Sequence, residues 1–494
     1  MKTFNEQTIF EISSSGRKGY SLPKTEVPQV NPDEVIPKAF LRKTKAKLPE
    51  VSEFDVVRHF TRLSQWNFSI DTAFYPLGSC TMKYNPRINE EVARFPGFAL
   101  SHPYQDEKTM QGSLQLMHEL QNYLCEISGM DFCTLQPAAG AHGEFTGLLM
   151  IRSYHESRGN PRTKVIIPDS AHGTNPASAA ICGYQVVTVK TGKDGIVVPE
   201  ELAPLLDNEV ACLMLTNPST IGLFEKNIQK IADLLHSKGA LLYCDGANMN
   251  ALMGVARPGD MGVDCMHYNL HKTFTTPHGG GGPGAGPVVV KKILEPFLPV
   301  PVIVKEGDTY RLETNCPQSI GRVRAFFGNF GMFVRAYTYI RELGPDGIRK
   351  TCEMAVLNAN YLRALLKDHL TLAYEADSLH EAIFTDKFLK DYSTGKVTKD
   401  GRPIPLKTLD IAKRLIDYGF HPPTVYFPLI VSGSLMIEPT ETENKQTLDA
   451  FAETVKKILA EAKTTPTLLT EAPHTTPVRR LDEVKAVREP KLRA

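Results

Sequence analysis

Residues 267–286 read HYNLHKTFTTPHGGGGPGAG and place Lys272 shortly before four consecutive glycines. Glycine costs more conformational entropy than any other residue, so such a run indicates backbone that adopts unusual dihedral angles or approaches a ligand closely. A lysine beside this backbone is therefore a candidate for chemistry on a bound group.

Two common uses of this stretch are excluded by its own residues. The spacing Gly279-x-Gly281-x-x-Gly284 resembles a dinucleotide fingerprint, but a proline interrupts it and a strand follows where a helix is required. His267 and His271 stand four residues apart, as in a zinc helix, but no H-E-x-x-H glutamate accompanies them and Lys272 would repel a cation. We predict neither a nucleotide site nor a metal site.

Short apolar segments alternate with helix-like segments between residues 110 and 290. This order predicts an α/β fold with a mainly parallel sheet and crossover helices, in which ligands bind at the carboxyl ends of the strands. The predicted strands are residues 164–169, 211–218, 240–248 and 286–292. The predicted helices are 144–154, 228–236, 319–343, 349–368 and 407–418, and a packing helix after the Ser52 cap.

The chain divides into four predicted parts. They are a Pro-rich extended arm with a helix (1–65), a large domain (66–330), a smaller α+β domain (331–463) and a C-terminal strap (464–494).

Composition narrows the class of protein. Lys and Arg number 56 against 55 Asp and Glu, so the net charge of +1 predicts no nucleic-acid or membrane partner. Nine scattered cysteines lack a C-x-x-C pair, and the first 20 residues lack a signal or transit pattern. With no apolar run long enough to span a membrane, these features predict a cytoplasmic protein.

Lys272 is best explained as the lysine that forms a Schiff base with pyridoxal 5'-phosphate. This cofactor also needs a carboxylate for its pyridine nitrogen and a cradle for its phosphate. Asp245 ends a predicted strand and is the candidate carboxylate. Ala139, Gly140 and Ala141 precede a predicted helix, whose first N–H groups can hold a phosphate. His142 could stack on the pyridine ring, although a surface histidine at a helix start is the plainer interpretation.

The order of these residues resembles fold-type-I pyridoxal enzymes, and the sequence resembles the glycine-decarboxylating P-protein of the glycine cleavage system. The resemblance covers most of the chain. It rests on the strings YPLGSCTMKYNP (75–86), LQPAAGAHGE (135–144), DSAHGTNPASA (169–179), MLTNPSTIGLFE (214–225), DGANMNA (245–251), NLHKTFTTPHGGGGPGAGP (269–287), SIGRVRAFFGNFG (319–331) and IEPTETE (437–443).

The resemblance implies roles for individual residues. It makes Lys272 the Schiff-base lysine, Asp245 the pyridine partner, His142 the stacking group and 139–141 the phosphate turn, supported by Asn269. Fused members of the family have a serine where Ala139 stands, so one hydroxyl ligand is missing here. The resemblance also makes His172, Asn175 and Thr216 candidate cofactor or substrate contacts, although each could equally satisfy its own loop. His172 is in addition the candidate for protonating the carbanion.

The family also implies an activity and partners. Glycine is decarboxylated, and its aminomethyl group passes to the lipoyl arm of the H-protein. The family occurs as fused chains about twice this length or as two subunits, and this chain is similar to the second subunit of the split form. We therefore expect a complex with the homologous first subunit, with two copies of each, whose surface completes the cleft.

Two alternatives stay open. A cysteine desulfurase shares the fold but needs a mobile nucleophilic cysteine, for which Cys316 lies in a loop-like context. A non-catalytic interaction subunit is the other alternative, and intact Lys272 and Asp245 argue against it.

Overall fold

The computed structural model describes residues 6–278 and 284–492. Of the Gly279-x-Gly281-x-x-Gly284 spacing, Gly279 and Gly281 therefore lie outside the described residues. The chain forms two compact units. One comprises residues 73–474, and the other comprises residues 1–72 with 475–494. The four-part division at residues 65, 330 and 463 stays a prediction.

The larger unit is built on a seven-stranded sheet with the order β1-β7-β6-β5-β4-β2-β3. Strands β2 to β6 pair in parallel, and only β7 pairs antiparallel, with β1 and β6. The strands are β1 (Phe132–Thr134), β2 (Lys164–Pro168), β3 (Gln185–Val189), β4 (Val210–Thr216), β5 (Leu241–Gly246), β6 (Cys265–Tyr268) and β7 (Val288–Val290). The predicted α/β fold with a mainly parallel sheet is confirmed.

Buried side chains cover both faces of this sheet. Along β4, Leu213 packs into one apolar cluster, whereas its neighbours Cys212 and Met214 pack into another. Because successive strand residues point to opposite faces, β4 is covered on both sides, as a central parallel strand must be.

A second, antiparallel sheet has the order β10-β11-β15-β14, and the isolated pairing of Leu77 with Ile437 extends it. It packs with helices around buried side chains such as Phe384 and Phe451. The further strands are β8 (Val302–Glu306), β9 (Thr309–Glu313), β10 (Thr371–Leu372), β11 (Ala382–Thr385), β12 (Ser393–Val397), β13 (Pro403–Pro405), β14 (Thr424–Val425) and β15 (Leu435–Ile437).

The helices follow the predicted segments, with one correction. They are α1 (Pro32–Val35), α2 (Glu53–Ser64), α3 (Arg87–Ala93), α4 (Pro96–Ala99), α5 (Gln111–Ser128), α6 (Gly140–Ser157), α7 (Thr174–Ile181), α8 (Pro199–Leu202), α9 (Ile228–Ser237), α10 (Phe330–Leu366), α11 (Thr408–Asp417), α12 (Lys445–Thr464), α13 (Thr467–Thr470) and α14 (Glu483–Arg488). The predicted helical start at residue 319 was wrong. Gly321 and Gly328 have φ angles of 84° and 128°, which a helix cannot accommodate, so α10 begins only at Phe330. Within α10, Gly344 has non-helical angles (φ 62°, ψ −177°), so the element consists of two helices joined at a kink, between the predicted segments 319–343 and 349–368.

The smaller unit contains α1, α2 and α14. The Ser52 side chain caps α2 and forms a capping box with Asp55, as predicted. However, Phe54, Val57 and Phe60 are each more than half exposed, so the prediction of a packing helix was wrong for these positions. Across residues 6–278 and 284–492, no helix combines the length and apolar character needed to cross a membrane.

Candidate active site

A cavity of about 260 Å³ lies where β4, β5 and β6 end. Thr216 is the last residue of β4, and it pairs in register with Asp245 near the end of β5. Asn269 follows β6 directly, and Lys272 lies in the turn after it. All four residues line the cavity. The parallel topology therefore brings together side chains that are up to 56 positions apart in the chain, at the edge where ligands bind in such sheets.

Asp245 is held as a buried carboxylate. Its Oδ2 accepts a hydrogen bond from Asn175 Nδ2 (2.9 Å), and its Oδ1 accepts one from Ala247 N (3.0 Å). Burial alone would raise the pKa of Asp245, but His267, these two donors and the positive charge of Lys272 lower it below its ordinary value. The carboxyl group is therefore ionised, as a partner for a protonated ring nitrogen must be.

His267 is a site residue that sequence reasoning missed. It pairs in register with Asp245, its Nε2 lies 3.3 Å from Asp245 Oδ1, and its Nδ1 lies 2.8 Å from Tyr243 Oη. In the sequence, His267 was weighed only as a zinc ligand. Its place beside Asp245 comes from the pairing of β5 with β6, in which the two residues are in register.

The turn at Ala139–Ala141 lies at the N-terminus of α6 and lines the cavity. The helix begins at Gly140, four residues before the predicted Glu144. A side chain at Gly140 would overlap the amide of Asn269, so only glycine lets this turn and the residue after β6 meet. Free N–H groups at a helix start attract an anion, which suits a phosphate.

His172 lies exposed at the cavity and belongs to a hydrogen-bonded chain. Its Nδ1 lies 2.9 Å from Thr174 Oγ1, which donates to Glu144 Oε1 (2.7 Å). Ser178 Oγ donates to the other oxygen of Glu144 (2.8 Å). This series of hydrogen bonds fixes the orientation of the His172 imidazole at the cavity.

Two predicted contacts are not among the described residues that line the cavity. Asn175 is completely buried and acts through Asp245. His142 Nδ1 accepts a hydrogen bond from Ala138 N (3.1 Å). The stacking role of His142 stays a prediction.

Another part of the cavity wall comes from residues that are distant in the chain. Ser79, His380 and Glu381 line the cavity together with Lys272. Ser79 N donates to Glu381 Oε1 (2.6 Å), and Glu438 lies buried behind Glu381. The sequence strings that matched the family include Ser79 and Glu438, but nothing in local pattern identifies His380 or Glu381.

Lys83 ties three segments together beside this wall. Its buried Nζ donates to the carbonyl of Thr273 (3.0 Å) and forms an ion pair with Glu441 Oε1 (2.6 Å). Burial alone would lower the pKa of Lys83, but the charge of Glu441 raises it above its ordinary value. The ammonium is therefore ionised and holds the turn of Lys272 against the segment that carries Glu438.

Two groups of carboxylates and a histidine are close enough to share a cation: Glu144 with Asp245 and His267, and His380 with Glu381 and Glu438. In both groups, neighbouring N–H and O–H donors already bind carboxylate oxygens. These hydrogen bonds indicate that the carboxylates serve as hydrogen-bond acceptors rather than as metal ligands. The expectation of no metal stays a prediction.

Cys316, which the desulfurase alternative requires, lines a different cavity together with Cys125 and Cys133. It is not among the described residues around Lys272. The structure therefore gives that alternative no support.

Family models match most of the chain. The model described as "Glycine cleavage system P-protein" matches residues 30–402, and the model described as "Glycine dehydrogenase, C-terminal domain" matches residues 351–474. The chain belongs to the glycine cleavage system P-protein family. The resemblance seen in the sequence is confirmed.

Similar members of this P-protein family match over their full length. A protein of Bacillus licheniformis named "Probable glycine dehydrogenase (decarboxylating) subunit 2" is 56% identical over 494 residues, which is 100% of this chain and 99% of that protein. A protein of the same name from Alkaliphilus oremlandii is 58% identical over 489 residues, covering 99% and 98%.

Solved structures share the fold. A crystal structure of a glycine decarboxylase (P-protein) in inhibitor-bound form matches with a TM-score of 0.70 and 21% identity, over 86% of this chain and 93% of that one. A cysteine desulfurase from Escherichia coli matches with a TM-score of 0.59 and 14% identity, over 81% and 98%. These likenesses confirm the fold-type-I architecture.

Proposed function

We propose that this chain decarboxylates glycine and passes the remaining aminomethyl group to the lipoyl disulfide of a carrier protein, using pyridoxal 5'-phosphate. The observation that carries the proposal is the juxtaposition of Lys272 and an ionised, buried Asp245 in one cavity. The names of the relatives describe the same activity.

The residues present fit this cofactor. The N–H groups at the start of α6 would hold the phosphate, Lys272 would supply the amine for the aldehyde group, and Asp245 would supply the carboxylate for the ring nitrogen. Among the described residues, Thr216 Oγ1 and Asn269 Oδ1 are buried without hydrogen-bond partners. Buried polar atoms are rarely left unpaired, so these two support a polar ligand in the cavity.

Pyridoxal phosphate, when bound, supplies an electron sink for the electron pair that stays on the glycine carbon as carbon dioxide leaves. The carboxylate of Asp245 would keep the proton on the ring nitrogen, which would strengthen the sink. Asn175 Nδ2 and Ala247 N hold this carboxylate in position through its two oxygens, and His267 Nε2 lies 3.3 Å from Oδ1. The hydrogen bonds that link Glu144, Thr174 and His172 orient an imidazole that can accept or return a proton near the substrate carbon.

We further propose that the working enzyme is a complex with a homologous first subunit, with two copies of each chain. The word "subunit 2" in the names of the relatives supports a partner. The exposed apolar face of α2, defined by Phe54, Val57 and Phe60, also supports it, because exposed apolar patches commonly mark protein interfaces. Residues 21–50 and the tail after Thr464 are the segments that we expect to wrap the neighbour.

A reducing compartment, and hence the cytoplasm, suits the cysteines. All nine are free thiols, and most are buried. No role in disulfide exchange is assigned to them.

The test is exchange of the glycine carboxyl group with labelled bicarbonate, compared with sulfide release from cysteine. We expect exchange, which needs the lipoylated carrier and the first subunit, and no sulfide. The chain alone should bind the cofactor but exchange little. Full exchange by the isolated chain, or no comigration with the first subunit in size-exclusion chromatography, would contradict the assembly proposal, and sulfide release would contradict the activity.

A further inference from the structure

A pair of buried carboxyl groups lies beside Lys272 and takes no part in the chemistry described so far. Glu381 is 2% exposed and Glu438 is completely buried. One oxygen of each lies within 4.8 Å of the other and of a ring nitrogen of His380. Glu381 lines the cavity, whereas Glu438 lies behind it. Two carboxylates this close in a buried site cannot both ionise freely, so the pair shares a proton.

Hydrogen bonds decide which partner carries the negative charge. Glu438 Oε1 accepts from Thr81 Oγ1 (2.7 Å), Asn248 Nδ2 (2.8 Å) and Asn250 Nδ2 (3.0 Å), and its Oε2 accepts from Thr81 N (3.1 Å). Glu381 accepts a hydrogen bond from Ser79 N. Four donors stabilise a carboxylate far more than one, so the hydrogen bonds favour a shared proton on Glu381.

The charged surroundings agree with this assignment. The titratable groups that face Glu381 are Glu438, Lys272, His380 and Cys80. Burial raises the pKa of Glu381 well above its ordinary value, and the charge of Glu438 raises it further, against the smaller opposing effects of Ser79 N–H and Lys272. Burial also lowers the pKa of His380, so the imidazole is neutral. Glu381 is therefore the acid on this wall of the cavity that keeps a proton at neutral pH.

The transfer to the lipoyl arm needs such a proton. As the C–C bond of glycine breaks, carbon dioxide leaves and the electron pair remains on the aminomethyl carbon. That carbon bonds one sulfur, the S–S bond breaks, and its electron pair leaves on the other sulfur as a thiolate. The disulfide is reduced as the glycine carbon is oxidised, so no further oxidant is required, but the thiolate must gain one proton to become a thiol.

We propose that Glu381 holds and donates the proton that the departing sulfur takes up, and that Glu438 keeps this proton in place between turnovers. This inference rests on the proposed function. Glu381 lines the same cavity of about 260 Å³ as Asp245 and Lys272, and the charge of Lys272 acts on it, so an arm that enters this small cavity comes close to this carboxyl group. After donation, Glu381 regains a proton from solvent.

The first test needs no cofactor or substrate. The infrared difference spectrum of wild type minus Glu381→Gln at neutral pH should contain the C=O band of one protonated carboxyl group, whereas the spectrum of wild type minus the exposed control Glu200→Gln should not. The signal of Glu443, whose pKa burial raises to about 7, is present in all these proteins and cancels in the difference. Glu438→Gln should move the pH midpoint of the Glu381 band to lower pH, because the neighbouring charge is gone. A wild-type minus Glu381→Gln spectrum without this band, or a midpoint unchanged in Glu438→Gln, would overturn the proposal.

The second test uses the complex with the lipoylated carrier. Glutamine can still accept from Ser79 N and donate to Glu438, so Glu381→Gln should fold and keep the cofactor absorbance. Its rate of thiol formation should fall by about a hundredfold or more, the usual contribution of a general acid. A purely structural role would be rescued by glutamine, and a wild-type rate would overturn the proposal. Failure of the wild-type chain to exchange glycine would instead refute the proposed function, while the infrared result would still stand.

Discussion

Nε2 of His267 lies 3.3 Å from Oδ1 of Asp245, and both side chains are almost completely buried. The two residues pair in register on adjacent parallel strands, so the sheet itself sets their separation. Because burial alone would raise the pKa of Asp245, its ionised state depends on this neighbour. The cofactor site is therefore supported by a residue one strand away as well as by Asp245 and Lys272.

His267→Leu should raise the pKa of Asp245. A carboxyl group whose pKa is lowered in the folded state stabilises that state above its unfolded pKa. This stabilisation is lost as the pH falls through the folded pKa. Cofactor absorbance and turnover should therefore be lost at a higher pH in the variant than in the wild type. Spectrophotometric pH titration measures this, and the exposed His369→Leu is the control. Superimposable titrations of His267→Leu and wild type would refute the role of His267.

Asp245→Asn should keep some cofactor but lose turnover by about a hundredfold or more, as expected when a preorganised charge opposite a reacting group is removed. Ala247 N can still donate to the amide oxygen, so the fold should be retained. Glycine exchange and cofactor absorbance are the measurements, with the exposed Asp233→Asn as control. Wild-type exchange in Asp245→Asn would mean that the ring partner is another residue.

Lys272→Ala should abolish the visible absorbance of the covalently held cofactor and all glycine exchange. The side chain is only partly buried in a turn, so the thermal unfolding temperature should change little. The exposed Lys230→Ala should behave as wild type in every assay. Retained absorbance in Lys272→Ala would refute the central assignment.

Gly140→Ala should weaken cofactor binding by about tenfold or more, because the added methyl group displaces the amide of Asn269. Gly112→Ala, near the start of α5, is a matched control. A methyl group there meets no atom within 4 Å, so this variant should be neutral or slightly more stable. Cofactor titration of both variants checks the prediction, which equal affinities would contradict.

Glu443→Gln should stabilise the protein above neutral pH. Burial raises the pKa of Glu443 to about 7, so the neutral form is favoured in the folded state. The stabilisation that the neutral Glu443 side chain provides is therefore fully present below its unfolded pKa. It is lost as the pH rises through about 7. Glutamine cannot ionise, and after solvent screening we expect a gain of about 1 kcal/mol at alkaline pH. Urea unfolding at several pH values, with the exposed Glu471→Gln as control, measures it.

The apolar pattern of residues 240–248 predicts the strand that carries Asp245, whereas β6, the strand before Lys272, was not predicted, and Lys272 was singled out by the glycines that follow it. The parallel topology then requires these side chains to meet at one edge of the sheet. The role of His142 could not be judged from spacing, since α6 begins earlier than its pattern indicates and Ala138 N, before the helix, donates to that ring.

The far wall of the cavity was beyond sequence reasoning. His380 and Glu381 lie more than a hundred residues after Lys272, and their placement depends on how the antiparallel sheet packs. Likewise, the amphipathic pattern of α2 predicts an apolar face but does not reveal whether the chain itself covers that face. Local patterns define strands and helices, whereas contacts distant in sequence are set by packing.

The ion pair of Lys83 with Glu441 has a consequence for biosynthesis. Lys83 also binds the carbonyl of Thr273, so the turn that carries Lys272 is fastened to a segment that is translated well after it. A ribosome-bound chain that lacks Glu438 and Glu441 has no partner for Glu381 and an ammonium group without its counterion. The nascent protein therefore cannot take up its cofactor in the finished geometry until residue 441 has been synthesised.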